Sequence, residues 1–351
     1  MTFFYNLILF AMDYAALWRV KVSKSALAWF FSLFAVVVIG VLIAGMLAED
    51  HFDFFRLAAY CLFLHGQVLL LGSTILFWRT KKSLTFLTGI SAAVLAVLTY
   101  YIFLIEPFWL EVSYWQITSP KIRRPLRIIV VADLQTDHFG DYERKVLRRT
   151  MEEKPDLILL AGDYVQAPGQ VHRAISRQIN AFLREIHFGA PLGDFAVQGN
   201  VDPPGWQEIF TDLNVAAPDA RKTFDLGELQ LTCLSLYESY STTLIVANPN
   251  PDKFHLVLGH VPNFALGHIE GDLLIAGHTH GGQVCIPLIG PLLIHSRIPL
   301  SWASGLTVLP GGARLLVSRG IGMERGNAPR MRFLCRPELM VIDLAPDKNE
   351  N

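Results

Sequence analysis

Apolar residues crowd into the first 110 positions of the chain and then thin into short runs separated by polar stretches. Three of the early stretches, Ala26 to Ala48, Phe54 to Trp78 and Leu84 to Ile105, each supply the roughly twenty apolar residues that a helix needs to cross a bilayer. The first and third hold no charge. The second has Arg56 near its start, where the side chain can snorkel, and His65 and Gln67 at mid-length. A bundle of three helices would shelter those two polar groups; an intramembrane functional site is the other reading of them. Ahead of these spans, Thr2 to Trp18 is apolar but shorter and carries Asp13, which predicts an interfacial helix and not a fourth crossing. It lacks the charged start and small-residue cleavage site of a signal peptide, so no removal is expected.

After residue 110 the pattern changes. Glu111 to Arg124 reads as a linker, with breaks at Ser119-Pro120 and Arg124-Pro125. Leu126 to Ala132 has the continuous apolar character of a strand buried on both faces, and Tyr142 to Glu153 the amphipathic character of a helix. A strand at Asp156 to Ala161, a helix around Ala174 to Ile186 and a strand at Asp194 to Val197 follow. The later runs, Leu229 to Leu236, Phe254 to Leu258, Leu273 to Ala276, Arg314 to Ser318 and Leu339 to Leu344, have little helical pattern between them. The first half therefore reads β-α-β and the second mostly β. The expected architecture is an α/β domain over residues 126–345, a two-sheet β-sandwich flanked by helices, with a polar, fraying tail at 346–351.

Charge orients the spans. Arg19, Lys21 and Lys24 precede the first, Glu49, Asp50 and Asp53 follow it, and Arg79, Lys81 and Lys82 separate the second from the third. Positive loops stay cytoplasmic, so three crossings place the soluble domain outside. Lys121, Arg123, Arg124 and Arg127 pull the other way, and a crossing by Thr2 to Trp18 would change the count. The expectation is an integral protein of a bacterial-type inner membrane with an extracytoplasmic domain, a cytoplasmic domain being the alternative. The net charge of −1 gives no sign of nucleic-acid binding. Cys233, Cys285 and Cys335 are odd in number and lack metal-ligand spacing, so they read as ordinary buried thiols.

The chemistry lies where the strands end. Leu273-Leu274-Ile275-Ala276 runs into Gly277-His278-Thr279-His280-Gly281-Gly282-Gln283, two imidazoles in a glycine-rich turn. Earlier strands end in Asp133-Leu134-Gln135, Gly162-Asp163, Gly199-Asn200-Val201-Asp202 and Gly259-His260. Each is a common turn sequence by itself. Five in order, each after a predicted strand, gather two carboxylates, an amide oxygen and three imidazoles, a donor set suited to two divalent ions such as manganese, iron or zinc.

These five blocks resemble the calcineurin-like metallophosphoesterases, whose pattern runs Asp-x-His, Gly-Asp, Gly-Asn-His-Asp, Gly-His and Gly-His-x-His. The resemblance spans about Leu126 to Leu344. Transmembrane helices ahead of such a domain, with the late run Val317-Ser318-Arg319-Gly320-Ile321-Gly322 followed by Arg332-Phe333 and Pro337-Glu338, resemble a membrane branch that includes UDP-2,3-diacylglucosamine hydrolases of lipid A synthesis. The resemblance implies that Asp133, Asp163 and His280 hold a first metal, that Asn200, His260 and His278 complete a second with Asp163 bridging, and that metal-activated water attacks phosphorus. It makes Asp163, Asn200 and His278 catalytic. Two positions depart from the pattern. Gln135 stands where the family has an imidazole ligand, a neutral and weaker donor that favours a harder ion. Val201 stands where the family has a second imidazole, and His138 with Asp137 is the candidate substitute. Arg319, Arg325 and Arg332, with Arg330 nearby, are candidates for phosphate recognition, a surface salt-bridge face being the alternative. Arg144, Lys145, Arg148 and Arg149 read as a solvated face or a contact with anionic lipid. The expected partners are the bilayer and a phosphoester or pyrophosphate, with a lipid-linked substrate such as UDP-2,3-diacylglucosamine the most specific. The departures also motivate a second reading, a degenerate fold that binds without turnover. A transporter is a third, and spans with so few polar residues offer it little pathway.

Overall fold

The computed structural model describes residues 1–23 and 25–347; Lys24, one of the charges that orient the spans, and the tail beyond Asp347 lie outside the described residues. The chain forms two units, Met1–Ile105 with Gly326–Arg330, and Glu106–Arg325 with Met331–Asn351.

The first unit is helical. Helices α1 (Thr2–Ser23), α2 (Ala26–Leu47), α3 (His51–Ala59), α4 (Gly66–Phe77) and α5 (Lys82–Tyr100) follow one another, and a π-helical stretch, Tyr60–His65, joins α3 to α4. Three helical segments, Ala26–Leu47, His51–Phe77 and Lys82–Phe108, are long and apolar enough to cross a membrane. Side-chain caps set the starts of the first two: Ser25 accepts from the Ala28 amide, and Asp50 from that of Asp53 at 2.7 Å. α1 covers the segment expected as an interfacial helix, Thr2 to Trp18, and is longer. It runs to Ser23 and buries Tyr5, Leu9, Asp13, Ala16 and Val20, a stripe at helical spacing packed within the helical unit. Asp13, the residue that counted against a span, lies 2.7 Å from His65 Nδ1, and Asn6 Oδ1 lies 3.0 Å from His65 Nε2. A buried carboxylate paired in this way no longer bears the full cost of desolvation.

The second unit is a sandwich of two six-stranded sheets. In chain order the strands of these two sheets are β1 (Glu111–Ser119), β2 (Leu126–Val131), β3 (Leu157–Leu160), β4 (Asp194–Ala196), β5 (Val215–Ala216), β6 (Lys222–Leu226), β7 (Leu229–Cys233), β8 (Phe254–Leu258), β9 (Leu273–Ala276), β10 (Gly305–Val308), β11 (Arg314–Val317) and β12 (Glu338–Pro346). The first sheet has the order β1-β12-β2-β3-β4-β5 and the second β10-β11-β9-β8-β7-β6. β2 to β5 are parallel, as are β7, β8, β9 and β11. Alternation along each strand sends Ile128, Val130, Leu157, Leu159, Met340 and Ile342 inward to meet Leu231, Leu256, Leu258, Leu273 and Ile275. The other face of the first sheet, Ile129, Val131, Ile158 and Leu160, packs under α6 (Asp141–Glu152) and α7 (Gly169–Glu185) through Val146, Leu147, Ile179 and Phe182. Leu234, Leu244, Val246 and Phe264, from the connections between its strands, cover the second sheet. Burial on both faces explains the unbroken apolar runs of these strands.

The segment expected as a linker is largely strand. Glu111 to Ser119 pairs residue for residue with Glu338 to Pro346, and Ile117 enters the core. The same pairing holds Ala345 and Pro346 in register, where a frayed tail was expected to begin.

Candidate metal centre

Both sheets deliver their parallel strand ends to one rim. β2 leads to Asp133 and Gln135, β3 to Asp163, β4 to Asn200, β8 to His260, and β9 to His278 and His280. The loops stay zipped after the strands stop: Asp133 N–H donates to Gly162 O at 3.0 Å, Gln135 N–H to Asp163 O at 2.8 Å, and Gly277 N–H to His260 O at 3.0 Å. The sheets are tied where His278 N–H meets the Asp133 carboxylate at 2.9 and 3.1 Å. Asp133, Gln135, Asp163, His278 and His280 all have positive φ, between 35° and 71°. L-residues with side chains rarely take that conformation, and its concentration at ligand positions marks a functional site. Close approach also requires glycine. A Cβ on Gly199 would lie 2.1 Å from Asp163 Oδ1, and one on Gly320, at φ 69°, would lie 2.9 Å from Asp133 Oδ2 and 3.1 Å from His280 Nδ1.

Asp163, His260 and His278 bring one ligand atom each within 4.8 Å of one another. Asn200 Oδ1 lies 3.0 Å from His260 Nε2 and 2.7 Å from His278 Nδ1, and Asp163 Oδ2 lies 3.3 Å from His260 Nε2. The other ring nitrogen of each histidine has a carbonyl partner: His260 Nδ1 donates to Ala161 O at 2.7 Å and His278 Nε2 to His295 O at 2.8 Å. In a neutral ring the outward nitrogen keeps the proton and the inward one offers a lone pair, the outer hydrogen bonding typical of metal-binding histidines. With both rings neutral, four acceptors face one point, an arrangement that a cation among them relieves. On the Asp133 side, Gln135 Oε1 and His280 Nδ1 are buried with no hydrogen-bond partner. Orphaned buried acceptors are costly, and a divalent ion satisfies both. The donor set fits the metals.

Charge follows the same plan. Burial pushes His278 down to about 4, with His260 adding to the effect, and burial with Arg332 lowers His280 well below the usual range. Both rings are neutral and competent as ligands near neutral pH. Burial disfavours the charge on His260, but Asp163 and Asp133 outweigh it and raise the ring to about 9. Burial and the neighbouring Asp163 raise Asp133 to about 7. Burial also opposes ionisation of Asp163, yet His260 and the Val201 amide hold its carboxyl below the usual range.

The remaining candidates fall elsewhere. His138 is exposed, with its ring against Gly140 at the start of α6, and no hydrogen bond joins it to a ligand residue among the described residues. The three arginines expected at phosphate are engaged within the fold. Arg319 pairs with Glu111 at 3.2 Å and Glu338 at 3.5 Å. Arg325 donates to Gln135 O at 3.0 Å and lies 3.7 Å from Asp137. Arg332 is fully buried and donates to the carbonyls of Arg319, Gly320, Gly322, His280 and Cys335, which pins the turn that presses Gly320 against the ligands. A guanidinium enclosed by carbonyls has a structural role, and arginine content alone does not distinguish it from a phosphate clamp. Sequence reading passed over Asp202. It is buried and accepts from the amides of Asp163, Tyr164 and Gly199, each at 2.8 Å, so it shapes the bridging turn. Val201 supplies its backbone N–H to Asp163 Oδ1 at 2.9 Å in place of a side chain. Gln166 and Glu324 were also missed, and both grip the Gln135 amide at 3.0 Å.

Residues 126–282 match the model of the calcineurin-like phosphoesterase family. The metallophosphoesterase YkuE of Bacillus subtilis is 29% identical over 262 residues, covering 68% of this chain and 87% of its own. The phosphodiesterase YaeI of Escherichia coli is 26% identical, covering 70% and 92%. The UDP-2,3-diacylglucosamine pyrophosphatase LpxG of Chlamydia trachomatis is 25% identical, covering 68% and 90%. The matched segment begins with β2 and ends just past His280, so it contains every candidate ligand, and the chain thus carries a calcineurin-like metallophosphoesterase domain and belongs with the metal-dependent phosphoester hydrolases.

Proposed function

We propose that this hydrolase binds two divalent ions, is anchored in a bilayer, and cleaves a lipid-linked phosphoester or pyrophosphate. The observation that carries the two-ion reading is the pair of converging acceptor sets: Asp163, Asn200, His260 and His278 on one side, and Asp133, Asp163, Gln135 Oε1 and His280 Nδ1 on the other. Manganese, iron and zinc all suit these donors. Bound there, the ions would supply Lewis-acid charge to the phosphate and a water acidic enough to act as nucleophile at neutral pH. Asp163 lies between the two sets, held by the Val201 amide, and fixes their spacing. No imidazole stands at position 201 to protonate a departing oxygen. That favours substrates whose leaving group departs as a stable anion, a pyrophosphate arm above a simple alkoxide.

An apolar strip beside the centre supports a lipid-linked substrate. Ile286 to Ile294 contains no charged residue, and Leu288, Ile289, Leu292 and Leu293 are exposed, Leu288 completely. The strip is tied to the site through His295 O, which orients His278, and through Gly282, where a Cβ would lie 2.5 Å from Pro291. Apolar surface left exposed next to a reaction centre suits acyl chains. LpxG, by its name, acts on a diacylated nucleotide sugar.

Orientation follows from the loop bearing Arg79, Lys81 and Lys82. One helix separates it from the domain, so a cytoplasmic loop gives an extracytoplasmic domain whether or not α1 crosses. On that side the substrate is an envelope lipid phosphate. UDP-2,3-diacylglucosamine is a cytoplasmic compound and goes with the opposite orientation, which a reporter fused after Asn351 would reveal. The substrate reading is tested with full-length protein in vesicles. Leu288→Asp with Ile289→Asp should lower turnover of a long-chain lipid pyrophosphate by about tenfold or more, because the acyl chains would no longer bury apolar surface there. Turnover of bis-p-nitrophenyl phosphate should stay unchanged. An equal fall on both substrates would sink the acyl-chain role.

A further inference from the structure

The family's first imidazole ligand is replaced here by Gln135, and the residues behind that glutamine fix which of its atoms faces the centre. The chain of hydrogen bonds starts from a donor that cannot be reversed. The backbone N–H of Arg325 lies 2.7 Å from Gln166 Oε1, so the oxygen of Gln166 points that way. The Gln166 nitrogen is then free to donate to Glu324 Oε1 at 2.5 Å. The Gln135 nitrogen meets Gln166 Oε1 and Glu324 Oε2, both at 3.0 Å and both acceptors. Flipping Gln135 would set its oxygen against two other oxygens. Both amide hydrogens are therefore spent, and Oε1 is left buried without a partner on the opposite side. The backbone is held as well: Gln135 N–H donates to Asp163 O, Arg325 Nε donates to Gln135 O, and Glu324 N–H donates to Gln283 Oε1 at 3.0 Å. Both oxygens of Glu324 are occupied by amides, so it stands behind the ligand and is not one itself.

We infer that Glu324 and Gln166 are positioning residues that present Gln135 Oε1 as an oxygen ligand to the first metal and make that site prefer a hard ion such as manganese over zinc. An amide that donates N–H to a carboxylate gathers electron density on its oxygen and becomes a better donor. The first site then holds two carboxylates, one amide oxygen and one imidazole, whereas the second holds two imidazoles. Fewer nitrogen donors shift preference away from zinc.

The inference rests on the two-metal reading, and its readout is metal occupancy, not turnover. Full-length protein in detergent would be loaded with equal manganese and zinc. Metal content and the manganese spin-resonance signal would then be compared for wild type, Glu324→Gln, Gln135→His and the double variant. Glu324→Gln should weaken first-site manganese binding by about ten- to a hundredfold, the usual cost of losing an outer-shell partner. It should keep the second ion, which also shows that the fold survives. Gln135→His should bring zinc into the first site, and adding Glu324→Gln to it should change little, because an imidazole does not need the clamp. Unaltered manganese affinity in Glu324→Gln, with two ions in the wild type, would overturn the inference alone. A wild type that holds a single ion would overturn the two-metal reading and the ligand role of Gln135 together.

Discussion

The two halves of the proposed metal centre are built from different materials. The half around Asn200, His260 and His278 is completed by imidazoles from the second sheet, each with its outer proton fixed on a main-chain carbonyl. Its geometry is set by backbone that the sheets would place there in any case. The half around Asp133, Gln135 and His280 is mostly oxygen, and its unusual ligand depends on side chains, Gln166 and Glu324, recruited from distant loops. Main-chain support tolerates substitution around it, while side-chain support makes a site tunable and easier to lose. Asp163 belongs to both halves.

Single substitutions should separate them. Asp163→Asn removes the shared carboxylate, so both ions should be lost and hydrolysis should fall to background. His278→Ala touches one half only; one ion should remain, and activity should drop on the order of a hundredfold or more. Metal content measured beside phosphate release checks both, and equal metal loss in the two variants would abolish the distinction between halves. Val201→His restores a proton donor and should raise turnover of substrates with poor leaving groups by about ten- to a hundredfold. It should do little for p-nitrophenyl esters, and a uniform gain on both substrates would point to improved binding instead. The smallest effect is a proton. His260, raised to about 9 without metal, must be neutral to bind through Nε2. Below pH 9 each metal entering the second half therefore displaces a proton, and affinity should climb as pH rises from 7 and level off above 9. Calorimetric titration in two buffers of different ionisation enthalpy should show buffer dependence at pH 7 and much less at about pH 9.5. Its absence at pH 7 would mean the ring is already neutral.

The arrangement of the second half was legible in the sequence because each of its candidate ligands follows a strand directly, with only a short turn between. In the first half the candidate ligands were marked by strand ends in the same way, but their support was not. Gln166 and Glu324 lie 31 and 189 residues from Gln135, and nothing local marks them as partners. Asp13 posed the same difficulty: its charge argued against burial until His65, 52 residues on, supplied the partner. β1 was hidden for another reason. As an edge strand it is only half covered, and Ser119-Pro120 suggested a loop. The arginines show the converse error, since residue type signalled phosphate while the donors of Arg332 were already committed to carbonyls. The unbroken apolar runs of the central strands, buried on both faces, carried the architecture reliably.

One feature of the first sheet bears on how the molecule is made. β12, which ends at Pro346, lies between β1 and β2, the first two strands of the domain. The first strand of the domain therefore waits for its last before it has a neighbour. Until Glu338 to Pro346 emerges, β1 has no strand to pair with and β2 presents an open edge, the kind of surface that recruits other chains. Closure of the sheet thus awaits synthesis of β12. A chain that stops before Glu338 keeps every candidate metal ligand and loses the strand that joins the start of the domain to the rest.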